Sequence, residues 1–326
     1  MSWEPFSFSF DVLPDWTTRQ LEKYAAAHPW TGGPDQGRIT IGLGFDAYYL
    51  PQEVFAGVIT HAREHGVKLI TSHEVNSQLR LFAVAGLSAA GLLGPDTLIS
   101  HATNLDAETI AKLVASKAPI SATPGTELPM QHGDPVCFHP ELEDRASLGV
   151  DCGSSVSSFI PETMRVSLLY ARGKHNQAML DDFKAVKTSH IAALRAYNLG
   201  TIKGARAAGL GDLTGSLAVG KRADLVIFDA TSPSMLCAAQ HDPVAALVFH
   251  STVRDVDTVV IDGVVRKRAG KLVPVQVDGG TLEWHEVAVK TLETRARIQE
   301  KIDAVDLVRV KAEAKISVLN PAYTEV

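Results

Sequence analysis

Cysteine is scarce in this sequence of 326 residues, which contains Cys137, Cys152 and Cys237 and no others. None of them belongs to a C-x-x-C pair, so neither a disulfide framework nor a cysteine-based zinc site is indicated. A reducing compartment is the simpler expectation, and we predict a cytoplasmic protein.

Long apolar segments are also absent. The longest weakly polar run, LFAVAGLSAAGLLG at 81–94, is shorter than the roughly 20 apolar residues that a membrane-spanning helix needs. The first residues, MSWEPFSFSFDVLPDW, lack the basic region and the long apolar region of a signal peptide. The sequence therefore predicts no membrane span and no secretion signal.

The sequence has no excess of positive charge. It contains 31 Lys and Arg residues against 37 Asp and Glu residues, with a net charge of −6. We therefore expect no nucleic-acid partner. It also has no G-x-G-x-x-G or G-K-[S/T] segment, which an open doubly wound nucleotide-binding sheet normally carries after its first strand.

Strand and helix patterns alternate in the first half of the chain. Hydrophobic residues make up 45% of the sequence and charged residues 21%, as in a globular protein. The alternation predicts a parallel sheet covered by helices, and a (β/α) barrel is favoured over the open sheet because polar groups follow the strands. The predicted strands are 38–45, 67–73, 96–101, 118–125 and 146–151, and the predicted helices are 51–66, 78–92 and 105–116.

The second half of the chain changes character. Residues 155–210 have a helical pattern, and strands are predicted at 223–229, 243–251 and 257–273, with a hairpin at the Asp-Gly pair 262–263. A charged amphipathic helix at about 280–315 would serve as a packing or dimer helix. We expect a barrel-type catalytic domain at 1–210, a small β-rich unit at 211–275 and a helical tail at 276–326.

Polar residues with metal-binding chemistry stand at three predicted strand ends: His73 in ITSHEVNS, His101 in LISHATNLD and Asp151 in SLGVDCGSS. Imidazole and carboxylate groups suit zinc, which activates water for hydrolysis when one coordination position stays open. A single histidine after a strand is usually structural, but three such residues on separate β units favour a site. His61 and His65, four apart on a helix, are expected on a solvated face. His132 could reach the mouth or serve only its loop.

Two further segments carry a family resemblance. Together with the order of His73, His101 and Asp151, GSLAVGKRADLVIFD (215–229) and VDTVVIDGVVRKRAGKLV (256–273) resemble the amidohydrolase superfamily. The sequence looks closest to its cytosine deaminase and chlorohydrolase-like branch, of the fungal amidohydrolase type. The resemblance covers roughly residues 38–275.

The resemblance implies a (β/α) barrel beside a small β-sandwich, one zinc or iron ion and a small-molecule substrate. It implies that Asp151 is both metal ligand and general base, and that His101 lies close to the activated water or substrate. The implied metal ligands are His73, His101 and Asp151, and the implied substrate contacts are Asp46, Tyr48 and Glu127.

The sequence departs from the family pattern in two places. It has no H-x-H motif, and little chain precedes the first predicted strand, so we expect an N-terminally incomplete barrel in which PFSFSF (5–10) could be a further strand. Deaminases of this branch often have a glutamate three residues after the fifth-strand histidine, where this chain has Asn76; Glu74 would point elsewhere.

Two functions follow from the sequence. The first is metal-dependent hydrolysis of a C–N or C–Cl bond in a small molecule. The second is a metal-free relative that uses the pocket for cyclisation, isomerisation or ligand binding. An incomplete barrel would expose a sheet edge, so we expect a homo-oligomer or a partner that covers it.

Overall fold

The structure, a computed structural model, describes residues 15–30, 37–77, 81–189 and 191–306. The possible strand at 5–10 lies outside these ranges. Within them, no helix combines the length and the apolar character that a membrane span requires.

A parallel sheet forms the centre of the first half of the chain. Its neighbours run in the order β1-β2-β4-β5-β6, and every pair along this path is parallel. The short strand β3 pairs antiparallel with β2 at its far end. The strands are β1 (Leu43–Gly44), β2 (Ile70–Val75), β3 (Leu81–Phe82), β4 (Thr97–Thr103), β5 (Ile120–Ala122) and β6 (Ala146–Leu148).

Helices connect these strands, as the sequence pattern predicts. The clearest start is that of the helix after β4, where the Asp106 side chain accepts a hydrogen bond from the Thr109 N–H at 2.7 Å. This bond satisfies one of the free N–H groups of the first turn. The helices of this region are α1 (Asp15–Ala27), α2 (Gln52–Glu64), α3 (Ala83–Ala89), α4 (Ala107–Ser116) and α5 (Pro124–Glu127).

One hydrophobic core lies between this sheet and its helices. Ile59 of α2, Ile70 of β2, Ile99 of β4 and Leu113 of α4 are all fully buried in it, and Ala25 brings α1 against the same cluster. Ala25 lies in a helix that was not predicted, and the other four residues come from the apolar positions of predicted helices and strands.

A second core lies beside β6. Leu148 of β6 packs there with Met164, Leu199 and Val248. The helices that supply these contacts are α6 (Ile160–Asp181), α7 (Ala193–Leu199) and α10 (Pro243–His250), and α8 (Ile202–Ala207) also lies beside β6. The prediction of a strand at 243–251 was wrong: PVAALVFH forms α10, because its apolar residues pack into this core from a helix rather than from a sheet.

An antiparallel sheet follows in the order β10-β9-β8-β7. Asp262 and Gly263 have φ values of +49° and +78°, the left-handed values that a two-residue hairpin turn needs, so the predicted hairpin is confirmed. The remaining elements are β7 (Leu225–Phe228), α9 (Leu236–His241), β8 (Val256–Ile261), β9 (Val264–Arg268), β10 (Lys271–Leu272), β11 (Val275–Val277), β12 (Gly280–Leu282) and α11 (Trp284–Asp303).

The chain divides into two compact units. The first contains the described residues up to Lys221 together with Val244–Phe249, and the second contains Arg222–Pro243 and the described residues from His250 onwards. The division into a barrel at 1–210, a β unit at 211–275 and a tail at 276–326 stays a prediction.

Candidate functional site

The carboxyl ends of the parallel strands bring the candidate residues to one edge of the sheet. Asp46 follows β1, His73 and His101 lie near the ends of β2 and β4, and Asp151 follows β6. Glu127 ends α5, the short helix that follows β5. In parallel β/α folds this edge is the one where ligands bind.

Asp46 holds His73 by two hydrogen bonds. Its Oδ1 accepts from the His73 backbone N–H at 2.7 Å, and its Oδ2 lies 2.7 Å from His73 Nδ1. The bond to Asp46 raises the pKa of His73 above its ordinary value, with burial opposing it and the charge of Asp151 adding to it. Burial raises the pKa of Asp46, but the bonds from His73 outweigh it and the net pKa is lowered. Nδ1 is therefore fixed as the donor, and Nε2 is the nitrogen left for the mouth.

His101 is buried and held from behind by residues that follow β5. Its Nδ1 lies 2.9 Å from Thr123 Oγ1 and 3.3 Å from Glu127 Oε1. Glu127 Oε1 also accepts from the Thr123 N–H at 2.7 Å. The Glu127 side chain is fully buried, and its Oε2 has no hydrogen-bond partner among the described residues. Glu127, implied by the resemblance to contact substrate, is thus buried and contacts the His101 ring.

A bulge in β4 orients His101. The pairing of β4 with β2 runs from Glu74 opposite His101 to Val75 opposite Thr103, so Ala102 is the extra residue. His101 and Ala102 have φ values of +69° and +55°, a region that non-glycine residues rarely occupy. Bulges re-aim side chains beside functional sites, and this one turns the end of β4 at His101.

The histidine rings are in contact with one another. The His73 and His101 ring centroids are 5.6 Å apart in a stacked arrangement, and the His132 ring meets His101 edge-on at 5.3 Å. Burial lowers the pKa of His132, and the neighbouring His101 lowers it further. Asp151 is exposed, and its charge adds to the raised pKa of His73 and offsets part of the lowering of the pKa of His132. The three residues predicted from strand ends therefore share one edge, and His132 joins them.

Tyr48 supports β2 rather than the histidines. Its ring packs edge-on against Phe45 and Phe55 at centroid distances of 5.3 and 5.4 Å. Its hydroxyl lies 2.5 Å from Ser72 Oγ, and burial raises its pKa to about 12. The hydroxyl therefore stays protonated at neutral pH.

Glu74 and Asn76, which follow His73 where the sequence departs from the family pattern, form hydrogen bonds with groups other than His73. Glu74 is buried and accepts a hydrogen bond from the Val84 N–H at 2.8 Å, so it points away from His73 as strand alternation predicts. The Asn76 side chain donates to the Asn104 carbonyl at 3.0 Å, and the Asn104 side chain donates to the Asn76 carbonyl at 3.2 Å. This pair joins the ends of β2 and β4 and offers no titratable group.

The chemistry of the donor set fits a divalent metal ion. A ligating histidine usually donates its other ring N–H to a carboxylate, and Asp46 accepts such a bond from His73. The ligand atoms of His73, His101 and Asp151 are not gathered within 4.8 Å of one another, however. Among the described residues, Glu22, His61 and His65 are the group whose ligand atoms all lie within 4.8 Å of one another. The predicted set of three ligands stays a prediction.

Sequence reasoning did not assign Thr123, Ser72 or a definite role for His132. Thr123 and Ser72 carry no pattern of their own, because their contacts depend on strand neighbours. His132 and His139 both lie in the loop MQHGDPVCFHP, and the sequence did not show which of them reaches the site. In the structure His132 does so, while His139 Nδ1 accepts a hydrogen bond from the Glu141 N–H.

Residues 48–266 match the model of the amidohydrolase family. A 5-methylthioadenosine/S-adenosylhomocysteine deaminase of Pelotomaculum thermopropionicum is 30% identical over 256 residues, which cover 75% of this chain and 56% of that protein. A 5'-deoxyadenosine deaminase of Methanobrevibacter smithii is 24% identical over 260 residues, which cover 78% of this chain and 54% of that protein. This chain thus spans little more than half the length of these relatives.

Solved structures share the fold. A zinc-bound adenosine deaminase from Xanthomonas campestris superposes with a TM-score of 0.69 at 20% identity, over 87% of this chain and 62% of that one. The zinc complex of an atrazine chlorohydrolase from Arthrobacter aurescens gives a TM-score of 0.68 at 18% identity, over 88% of this chain and 62% of that one. These likenesses confirm the predicted (β/α) barrel-type fold with its small C-terminal β unit. By its match over residues 48–266, the chain belongs to the amidohydrolase family.

Proposed function

We propose that the protein hydrolyses a C–N or C–Cl bond in a small molecule at the edge formed by His73, His101 and Asp151. One observation carries the proposal: two stacked histidines have their Nδ1 atoms held by polar groups of adjacent strand ends, beside the charge of Asp151. Such held rings keep their Nε2 atoms in a fixed position, which is what a site that positions water and substrate requires.

Asp151 acts as the general base. Its carboxylate is exposed at the edge and has the charge to accept a proton from an attacking water molecule and pass it to the leaving group. Its φ of +64° places it in the left-handed region, which aspartate tolerates better than most residues.

His101 orients the reacting groups. Thr123 and Glu127 fix the ring from behind, so its Nε2 serves a substrate atom or the attacking water. Glu127 and Asp46 act through the two histidines as positioning residues, and Tyr48 acts through Ser72 on β2. This revises the implied substrate contacts, since all three side chains contact protein groups of the site.

A divalent ion would be held by His73 and Asp151, with His101 beside it. When bound, it would supply the activation of water near neutral pH. Two protein ligands hold an ion more weakly than the three or four of typical zinc sites. We therefore expect the metal to dissociate readily, and to be zinc or iron if present.

Asn76 limits the set of residues that can transfer a proton to the leaving group. An amide cannot shuttle protons, and this one is engaged with Asn104. All proton transfers must then pass through Asp151 and the histidines. The relatives' names describe deaminases of purine nucleosides and a chlorohydrolase, so amino and chloro substituents on nitrogen heterocycles are the substrates to test first.

A metal-free reaction is the second candidate. It is favoured because the ligand atoms of His73, His101 and Asp151 do not all lie within 4.8 Å of one another. In that case Asp151, His101 and His73 would act as acid–base groups in a cyclisation or isomerisation, or would bind a ligand without chemistry.

The test is a panel of small molecules incubated with the purified protein. Release of ammonia from methylthioadenosine and 5'-deoxyadenosine and release of chloride from chloro-s-triazines are measured with zinc and with a chelator. We expect turnover that needs the metal, and Asp151→Asn should lower kcat by roughly 100-fold or more, as loss of a general base does.

Asp144→Asn is the matched control, because Asp144 is a fully exposed aspartate of the same unit. It should leave kcat unchanged. Turnover that persists in Asp151→Asn at the wild-type rate would contradict the proposed base. Turnover that survives complete removal of metal would favour the second candidate.

A further inference from the structure

Two histidines and a glutamate meet on the helices that precede β2, apart from the strand-end residues. His61 lies in the last turn of α2, and His65, four positions on, is the residue that caps its C-terminal end. Their ring centroids are 4.2 Å apart. Glu22 of α1 places its Oε1 2.9 Å from His61 Nε2. The sequence pattern predicted only a solvated face for the two histidines.

The ring of His65 is oriented by a backbone hydrogen bond. Its Nδ1 lies 2.8 Å from the His61 backbone carbonyl. A carbonyl can only accept, so Nδ1 carries a proton, and Nε2 is the nitrogen through which the ring can bind a metal ion. Metal-ligating histidines are oriented in the same way by a hydrogen bond on the other nitrogen.

The spacing of the three groups matches a coordination sphere. One ligand atom from each residue lies within 4.8 Å of the other two. Two ligands at about 2.0–2.2 Å from zinc, separated by a tetrahedral angle, lie roughly 3.4 Å apart. The 2.9 Å between Glu22 and His61 therefore needs only a small increase once an ion replaces the shared proton.

We propose that Glu22, His61 and His65 form a surface site for a divalent transition metal, zinc above all. Two imidazoles and one carboxylate are ligands that zinc, nickel and copper accept, and they are a poor set for calcium or magnesium. The fourth position is open to solvent, since His65 is exposed. The proposal does not rest on the hydrolytic site.

The site lies between two helices that pack through apolar side chains. Leu21 and Ala25 of α1 pack into the core that contains Phe55 and Ile59 of α2. The Glu22–His61 hydrogen bond already links the pair, and a shared metal ion would replace it with a stronger connection that also includes His65. Its role is then to hold α1 in place, so binding should stabilise the protein according to the zinc concentration.

The test uses zinc chloride in competition with a chromophoric zinc indicator. The starting protein carries His73→Asn and Asp151→Asn, which remove two predicted ligands at the strand ends. We expect one equivalent of zinc to bind, and expect His65→Gln in this background to weaken binding at least tenfold. Glu64→Gln, an exposed carboxylate beside His65 on the same helix, should leave the affinity unchanged.

A second measurement uses the chain with His73 and Asp151 intact. Arg19 and Lys23 are exposed on α1, and zinc should slow tryptic cleavage there at least several-fold, but not in His65→Gln. Equal zinc affinity with and without His65→Gln, or no zinc bound by the starting protein, would overturn the site. The turnover of Asp151→Asn tests the proposed function alone. Zinc binding at Glu22, His61 and His65 is measured separately and does not depend on that outcome.

Discussion

At the scale of single residues, a buried carboxylate organises the segment before β8. Asp255 accepts hydrogen bonds from Ser232 Oγ at 2.5 Å and Ser234 Oγ at 3.1 Å on one oxygen. The other oxygen accepts from the Thr252 N–H at 2.7 Å and its hydroxyl at 2.9 Å. Burial raises the pKa of Asp255, but these hydrogen bonds lower it by more, so the net pKa lies below its ordinary value.

Replacing Asp255 should make this unit less stable and less sensitive to acid. We expect Asp255→Asn to lower the free energy of unfolding by about 2 kcal/mol at pH 7, since an amide cannot accept all four bonds. The pKa of Asp255 in the native protein lies below the unfolded value of about 3.9. The stabilisation that Asp255 contributes is therefore fully present above the unfolded pKa. It is lost as the pH falls below about 3.9 towards the native pKa.

Thermal unfolding followed by circular dichroism between pH 7 and pH 3 measures this effect. Asp278→Asn, an exposed aspartate of the same unit, is the control and should match the unmodified chain throughout. The difference between Asp255→Asn and the unmodified chain should shrink at the acid end. A difference that stays constant across the whole range would contradict the assignment.

At the scale of elements, one arginine ties a helix to the start of a strand. Arg63 of α2 donates to both oxygens of Asp96, at 2.8 and 3.0 Å, and to the Leu92 carbonyl at 2.7 Å. Asp96 immediately precedes β4, so the contact fixes α2 against the strand that carries His101. The planar guanidinium group suits two parallel bonds to a carboxylate, which an ammonium group cannot reproduce.

Shortening this side chain should loosen the first unit. We expect Arg63→Ala to lower the free energy of unfolding by roughly 2 kcal/mol, since a partly buried carboxylate and a carbonyl lose their donors. Arg63→Lys should recover less than half of that loss. Urea unfolding monitored by circular dichroism is the measurement, with Lys68→Ala as the exposed control. Equal stability of Arg63→Lys and the unmodified chain would show that charge alone matters.

At the scale of the whole molecule, α11 presents an apolar face to solvent. Leu292, Ile298 and Ile302 are exposed at 65%, 53% and 43% of their surface. The expected homo-oligomer or covering partner stays a prediction, and the sequence pattern gave this segment as a packing or dimer helix. Apolar side chains exposed together on a helix are typical of an association surface.

Charges on this face should prevent self-association. We expect Ile298→Glu combined with Ile302→Glu to convert an oligomer to a monomer in light scattering coupled to size exclusion. Arg297→Glu changes the net charge by the same amount, and Arg297 lies about 100° from Ile298 and about 140° from Ile302 around a helix with 3.6 residues per turn. It should keep the oligomer. A monomer in the unmodified chain would contradict the prediction.

Sequence periodicity predicted the helices and strands that position the site. The helix at 51–66 and the strands ending at His73 and His101 were predicted because apolar spacing differs between helix and strand. The strand at 243–251 was wrong because an apolar segment of that length fits either form, and packing beside Leu148 decided for α10. The bulge at Ala102 had no sequence signal, since its left-handed backbone is imposed by pairing with β2.

The sequence by itself determined the family, the order of β/α units and the placement of His73, His101 and Asp151 at strand ends. Only the tertiary structure decided which groups hold them. Asp46 meets His73 across 27 positions of the chain, and Glu22 meets His61 across 39. Such contacts depend on the register of neighbouring strands and on how helices pack, and local periodicity carries neither.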